Sequence, residues 1–309
     1  MENKLHVSFS PHIKSSNSTM RIMLDVIIAL VPAIIAAVIL FGIPALLVIA
    51  TCVISAVACE LLFNIIVKKE QTVSDLSAVV TGLILALNLP ANIPLWQAAV
   101  GSAFAIILVK CVFGGLGKNI VNPAITARVF MLLAFGSMTS SVFPTGMDSA
   151  SGATPLTDLD NGVVPNLVDL LLGKNGGALG ETCALALIIG GVYLMVRKVI
   201  SWHIPVSFIG TAFLFTLLVE GGNFESALAW TLSGGLLIGA FFMATDYVTS
   251  PSTAKGKIIF GIGAGVITVL IRFWGAYPEG VSFAILLMNI VNPFIDGKCT
   301  RKLFGGAKK

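Results

Sequence analysis

The sequence predicts an all-α polytopic membrane protein, with about ten transmembrane helices in two inverted five-helix repeats. Three observations lead there. Mean hydropathy is +0.97 with only 11% charged residues, far outside the range of a soluble domain. Apolar runs of membrane-spanning length recur from Ile22 to Ile295. Basic residues fall almost wholly on one side of a ten-crossing path.

The runs cover 21–41, 45–67, 73–89, 95–113, 121–137, 180–197, 204–220, 226–245, 257–273 and 280–296. The third and fifth are short, near the lower limit of about 17 residues for a crossing. Before the first run, the polar segment with Lys4 and Lys14 lacks the apolar core and cleavage site of a removable signal peptide. The chain thus divides into a tail (1–20), a first repeat (21–137), a connecting loop (138–179), a second repeat (180–296) and a tail (297–309).

Lys4, Lys14, Arg21, Lys68, Lys69, Lys110, Lys118, Arg128, Arg197, Lys198, Lys255, Lys257 and the C-terminal Lys298, Arg301, Lys302, Lys308 and Lys309 all fall on one side of this path. They are 17 of the 19 basic residues. The positive-inside rule therefore puts both termini in the cytoplasm. Lys174 and Arg272 are the exceptions, and Arg272 is expected to snorkel to the outer interface. The net charge of +4 serves topology and gives no sign of nucleic-acid binding. The loop 138–179 lies on the outer side, with Asp148, Asp158, Asp160 and Asp169 against Lys174 alone.

"TGLILALNLP" (81–90) and "SGGLLIGAFFMATDYVTSP" (233–251) each join a polar residue and glycine to an apolar run, then to polar residues and proline. They are the third members of two five-helix halves. Five is odd, so equivalent helices run in opposite directions, and inverted repeats with broken helices mark many transport folds. The echo "NIVNP", at 119–123 and 289–293, falls on one side in both copies. It reads as local chemistry, with Asn satisfying backbone groups beside Pro.

Carboxylates within apolar runs are costly and often mark ion or proton pathways. Asp25 stands in the first run, Glu60 in the second and Asp246 at the inner end of the eighth. Asp25 and Asp246 have an equal alternative, reaching interfacial water or a basic partner; Glu60 is the better ion-path candidate. Lys118 and Arg128 bracket the Gly-rich turn "FGGLGKN" (113–119), which could hold an anionic group but reads more simply as a tight connection under the positive-inside bias. The five cysteines include no pair at metal-cluster spacing, and Cys52 and Cys59 read as small apolar residues on one helix face. No phosphate-binding loop, dinucleotide fingerprint or His pair at metal spacing occurs, so neither catalytic residues nor a metal site is expected. Redox or transport chemistry would need a bound cofactor, or carboxylates and backbone within the bundle.

"DSASGATPLTDL" (148–159) is the polar exception on the outer loop. Small neighbours leave its hydroxyls open to a modifying enzyme, and Gly152 lets the chain bend. "SGATPL", with "TGLILALNLP", "GKNIVNPA", "ATDYVTSP" and "AILLMNIVNP", resembles the D subunit of the Rnf complex, itself homologous to the B subunit of the sodium-pumping NADH:quinone reductase. The likeness spans about residues 5–300, and the chain's length favours the Rnf type over the longer B-type alternative.

That resemblance implies FMN joined through its phosphate to a threonine by an extracytoplasmic FAD:protein FMN transferase. By motif position the threonine is Thr154, with Asp148, Ser151, Gly152 and Ala153 as the recognition stretch; Ser151, Thr145 and Thr157 are competing hydroxyls. It also implies a fold similar to urea transporters, and a multi-pass place in the plasma (inner) membrane. The implied partners are further membrane and peripheral subunits, including a second flavinylated subunit on the outer side. The implied activity is electron transfer between ferredoxin and NAD coupled to Na+ or H+ movement. Some members also hold non-covalent riboflavin in the bundle. Two other readings compete: a small-solute channel or secondary transporter built on the inverted repeat, and a scaffold for catalytic partners.

Overall fold

The computed structural model describes residues 18–139, 142–144, 154–275, 277 and 279–299. Every regular element among them is helical. Helix α1 (Thr19–Phe41) starts where the Ser18 side chain accepts from Arg21 N at 3.3 Å, relieving one unpaired amide of the first turn. It stops at Gly42, whose φ of 68° reverses the chain into α2 (Ile43–Ile66). A 3₁₀ turn (Val73–Asp75) leads into the short α3 (Ser77–Leu87). There Asp75 Oδ1 accepts from Ser77 N at 2.8 Å. Helix α4 (Leu95–Ala103) runs on as a π-helix through Phe104–Cys111. Helix α5 (Pro123–Ala134) is capped by Asn122, which accepts from Ala124 N at 3.0 Å.

The loop 138–179 holds two short helices, α6 (Pro155–Asp160) and α7 (Leu167–Leu172). The second half contains α8 (Ala184–Val196), α9 (His203–Val219), α10 (Phe224–Leu232) and α11 (Leu236–Ile238). Helix α11 continues as a π-helix, Gly239–Met243. Helices α12 (Ala254–Trp274) and α13 (Val281–Lys298) complete the fold.

Helices thus stand at all ten expected positions, but their lengths differ from the expectation. Among the described residues, α1, α2, α12 and α13 are long and apolar enough to cross a membrane, and the bent pair Phe224–Leu232 with Leu236–Met243 makes a fifth. That pair breaks by 65° at Ser233–Gly235, where Gly234 takes a φ of 67° that only glycine adopts freely. Ile39, Ile43, Ile66, Leu218 and Phe294 are more than 70% exposed, a surface that water would not tolerate and lipid tails would. The protein is therefore a polytopic helical membrane protein.

Lipid supplies no hydrophobic drive between helices, so close packing must hold them together. Gly261 and Gly265 lie one turn apart on α12, where a Cβ would fall 3.0 Å from Ile204 O and Phe208 O of α9 respectively. The small-xxx-small pattern lets the two backbones approach. Gly190 of α8 does the same against the Ala29 carbonyl of α1. Helices α6 and α7 seat Leu156, Leu159 and Leu170 beside Trp230 of α10, so residues 155–172 are folded against the bundle rather than merely solvated.

Three basic residues depart from the charge reading. Arg272 is 5% exposed and does not snorkel. It donates to Trp230 O at 2.6 Å and Ser233 O at 3.0 Å, so a buried cation satisfies the carbonyls at the broken end of α10. Lys110 and Arg128, assigned above to the cytoplasmic flank, are also buried, because carboxylates from distant segments pair with them. Pro293 lies inside α13 rather than closing it. Asn122 behaves as local chemistry suggests, capping α5, and also donates to Met243 O at 3.2 Å.

Candidate functional site

Thr154 caps α6, its side-chain oxygen accepting from Thr157 N at 3.4 Å and lying 3.0 Å from Thr157 Oγ1. Pro155, whose φ is preset for a first helical turn, follows it. Both threonines line a cavity of about 320 Å³, together with Asn88, Arg128, Asn175, Glu181, Tyr277 and Glu279. Thr157 is tied inward, donating to Thr154 O at 2.7 Å. Asp148, Ser151, Gly152, Ala153 and Thr145 lie outside the described residues.

The cavity wall is built from segments remote in sequence. Residues 175–183 are pinned by backbone bonds from Leu179 N to Leu89 O at 3.0 Å and from Gly180 N to Leu87 O at 2.6 Å. This carries Glu181 onto α5, where Arg128 Nη2 donates to its Oε1 at 2.6 Å. Arg128 also donates to Asn88, the residue that ends α3, and to Glu279, which precedes α13. One guanidinium therefore ties together both halves of the chain in its fixed fork geometry.

Two adjacent glycines connect this cluster to the loop. A Cβ on Gly234 would fall 2.9 Å from Leu156 Cδ1, and one on Gly235 would fall 3.0 Å from Arg128 Nη1 and 3.1 Å from Glu181 Oε1. Consecutive Cα atoms are about 3.8 Å apart, so the start of α6 and the arginine cluster sit on two sides of one dipeptide. Asn175 Oδ1 is buried without a partner, and Tyr277 stacks on Phe283 with ring centroids 5.4 Å apart.

A second, smaller cavity of about 100 Å³ is lined by Ser77, Lys110, Asn119, Asn122, Phe242 and Asp246, among others. Both π-helical stretches reach it, through Lys110 and Phe242; such stretches recur at functional sites. Helices α3 and α5 line both cavities, Ile84 and Ala124 facing this one while Asn88 and Arg128 face the other. Each separation is one helical turn, about 6 Å along the axis.

The three carboxylates expected on an ion path are not brought together. Glu60 is buried and receives Lys110 Nζ on both oxygens at 2.9 Å and Thr72 Oγ1 at 2.7 Å. Lys110 also donates to Ser77 Oγ at 2.6 Å. Asp25 accepts from Tyr193 OH at 3.0 Å and pairs with Arg197 at 3.3 Å, linking α1 to α8. Asp246 accepts from Thr249 Oγ1 at 3.1 Å and alone of the three lines either of these two cavities. Sequence reasoning missed Glu181 and Glu279. Their one signal was a carboxylate just before an apolar run, in "GETC" and "YPEG".

Fold and site together define a multi-pass membrane protein with two cavities about one helical turn apart, one of them lined in part by a loop threonine. The chain belongs to the NQR2, RnfD, RnfE family, whose model matches residues 6–305. It is 49% identical to the D subunit of the Na(+)-translocating ferredoxin:NAD(+) oxidoreductase complex of Acetobacterium woodii, covering 99% of this chain and 97% of that one. It is 42% identical to the proton-translocating counterpart of Clostridium ljungdahlii, over 100% and 98% of the two chains. The D subunit of the ion-translocating oxidoreductase complex of Ectopseudomonas mendocina is 35% identical, over 97% and 95%.

Proposed function

We propose that this chain is the D-type subunit of a complex coupling electron transfer between ferredoxin and NAD to Na+ or H+ translocation, and that it carries FMN covalently on Thr154. The near full-length match to D subunits of both sodium and proton complexes supports the first part and the D-type over the B-type alternative. The observation that carries the second is Thr154 on the wall of a cavity with an unpartnered Asn175 oxygen, an aromatic face at Tyr277 and a buried cation at Arg128.

These residues fit a flavin. Thr154 would hold the phosphate and Tyr277 offers a face for a planar ring. Asn175 Oδ1 would accept a ring N–H, and Arg128 faces the same space. When bound, FMN supplies the electron-carrying chemistry; the chain's residues fix its place and screen it from water. Attachment would be made by an FAD:protein FMN transferase acting on Asp148, Ser151, Gly152, Ala153 and Thr154 from outside the cytoplasm.

The remaining parts of the reading follow from it. The helices form ten crossings in two inverted halves similar to urea transporters, with the repeats at 21–137 and 180–296. Both termini are cytoplasmic, in the inner or plasma membrane. A second flavinylated subunit meets the outer loop. Non-covalent riboflavin would sit in the helix bundle, where the smaller cavity is lined by Lys110, Asn119, Asn122 and Asp246. Of Glu60, Asp25 and Asp246, Asp246 has the strongest claim to an ion path, since it lines that cavity.

The test is denaturing electrophoresis of the chain co-expressed with such a transferase. A fluorescent flavin band supports the assignment, and a dark band excludes the covalent flavin. A solute channel would give the dark band.

A further inference from the structure

Besides joining the two halves, the cluster around Arg128 puts fixed charge on the wall of the flavin cavity. Its charges are Arg128, Glu181 and Glu279, with Arg272 close by: a Cβ on Gly234 would fall 3.1 Å from Arg272 Nη2. Asn88 supplies the remaining side-chain oxygen on Arg128. Arg272 turns its nitrogens to the carbonyls of Trp230 and Ser233, whereas Arg128, Glu181 and Glu279 line the cavity itself. Arg128 is held by three side chains from three different segments, so it cannot swing away to follow a ligand. A fixed charge of this kind, shielded from water, acts on an electron carrier much more strongly than one in solvent.

We propose that Arg128 is a positioning residue that sets the reduction potential of the flavin on Thr154, with Glu279 as the opposing charge that limits its effect. The proposal rests on the FMN reading above. Reduction brings negative charge onto the ring. The guanidinium on the cavity wall favours that charge and the Glu279 carboxylate opposes it, so the balance of the two fixes the potential. Arg128 and Glu181 are nearly out of solvent, at 6% and 5% side-chain exposure, so salt acts on them little; Glu279, 28% exposed, is the member that salt reaches. The dipeptide Gly234–Gly235 is what lets the cluster and α6 approach, and side chains there would push them apart.

The test uses the full chain, flavinylated by co-expression with the transferase and purified in detergent. Its potential is titrated by flavin absorbance, with the Thr154→Val chain subtracted as the non-covalent background. Peptide mass first establishes whether FMN is on the chain. Arg128→Gln should then shift the reduction equilibrium about tenfold toward the oxidised form, 59 mV more negative for a one-electron couple. Glu279→Gln should move it the opposite way, and Arg128→Lys should stay nearer the wild type than Arg128→Gln. If Arg128→Gln fails to accumulate in the membrane, Glu279→Gln decides alone. Loaded variants that titrate with the wild type would overturn the proposal while leaving the FMN reading intact. A wild-type peptide without FMN would overturn that reading and this proposal with it.

Discussion

Arg272 of α12 donates to the carbonyl of Trp230 at 2.6 Å, so a cation from one helix closes the broken end of another. The 65° bend of the α10 pair leaves carbonyls without intrahelical partners. In a lipid-surrounded bundle each of these is costly unless a donor reaches it. Arg272→Met should therefore lower the thermal unfolding midpoint in detergent, with a cost of about 1–3 kcal/mol for each carbonyl left unpaired. Arg272→Lys should recover part of the loss. An unchanged midpoint in Arg272→Met would show that the break is held by something else.

The Glu60–Lys110 pair lies almost wholly out of solvent, at 2% and 3% side-chain exposure. Removing one partner strands a buried charge, typically costing about 3–5 kcal/mol, whereas replacing both with apolar groups is often close to neutral. Glu60→Met should thus reduce folded yield more than the Glu60→Met, Lys110→Met double variant. A double variant as poor as the sum of the singles would refute this. Ion flux through the assembled complex adds a second readout. If Glu60 serves structure, the rescued double variant keeps coupled ion movement.

Gly190 packs against the Ala29 carbonyl, and Gly210 on α9 has open space around its would-be Cβ. Gly190→Ala should therefore force α1 and α8 apart, an overpacking cost of about 1–3 kcal/mol. Gly210→Ala should be neutral or slightly stabilising. Both are read from detergent melting curves. Equal effects of the two substitutions would contradict the packing described here.

Much of this fold was legible because lipid exposure and helix formation leave local marks. Each of the ten apolar runs coincides with a helix or a bent helix pair among the described residues, and "SGG" before "LLIGAFF" marks the break at Ser233–Gly235. The short helices of the outer loop were also signalled, though less clearly. Thr154-Pro155 with Leu156 and Leu159 is a cap followed by apolar spacing, and Asn166 and Gly173 bracket α7 as cap and stop.

The arginine cluster was not legible. Arg128 meets Glu181 and Glu279 across 53 and 151 residues, and no local pattern announces such a pairing. Counting Arg128 and Lys110 as surface charges failed for the same reason. The positive-inside rule treats every basic residue near a turn as solvated, and burial by distant carboxylates lies beyond it.

Thr154 and Thr157 offer two hydroxyls to the same cavity, but Thr157 is committed to the Thr154 carbonyl. Thr154→Val should abolish in-gel flavin fluorescence with the chain still in the membrane, and Thr157→Val should retain most of it. A fluorescent Thr154→Val band would mean that another hydroxyl is the acceptor.

Mass spectrometry of the peptide spanning 148–159, from chain produced with the transferase, addresses attachment most directly. The expected result is a phosphoester-linked FMN on this peptide, with fragment ions placing it on Thr154. An unmodified peptide, or FMN on Ser151 or Thr157 instead, would contradict the assignment.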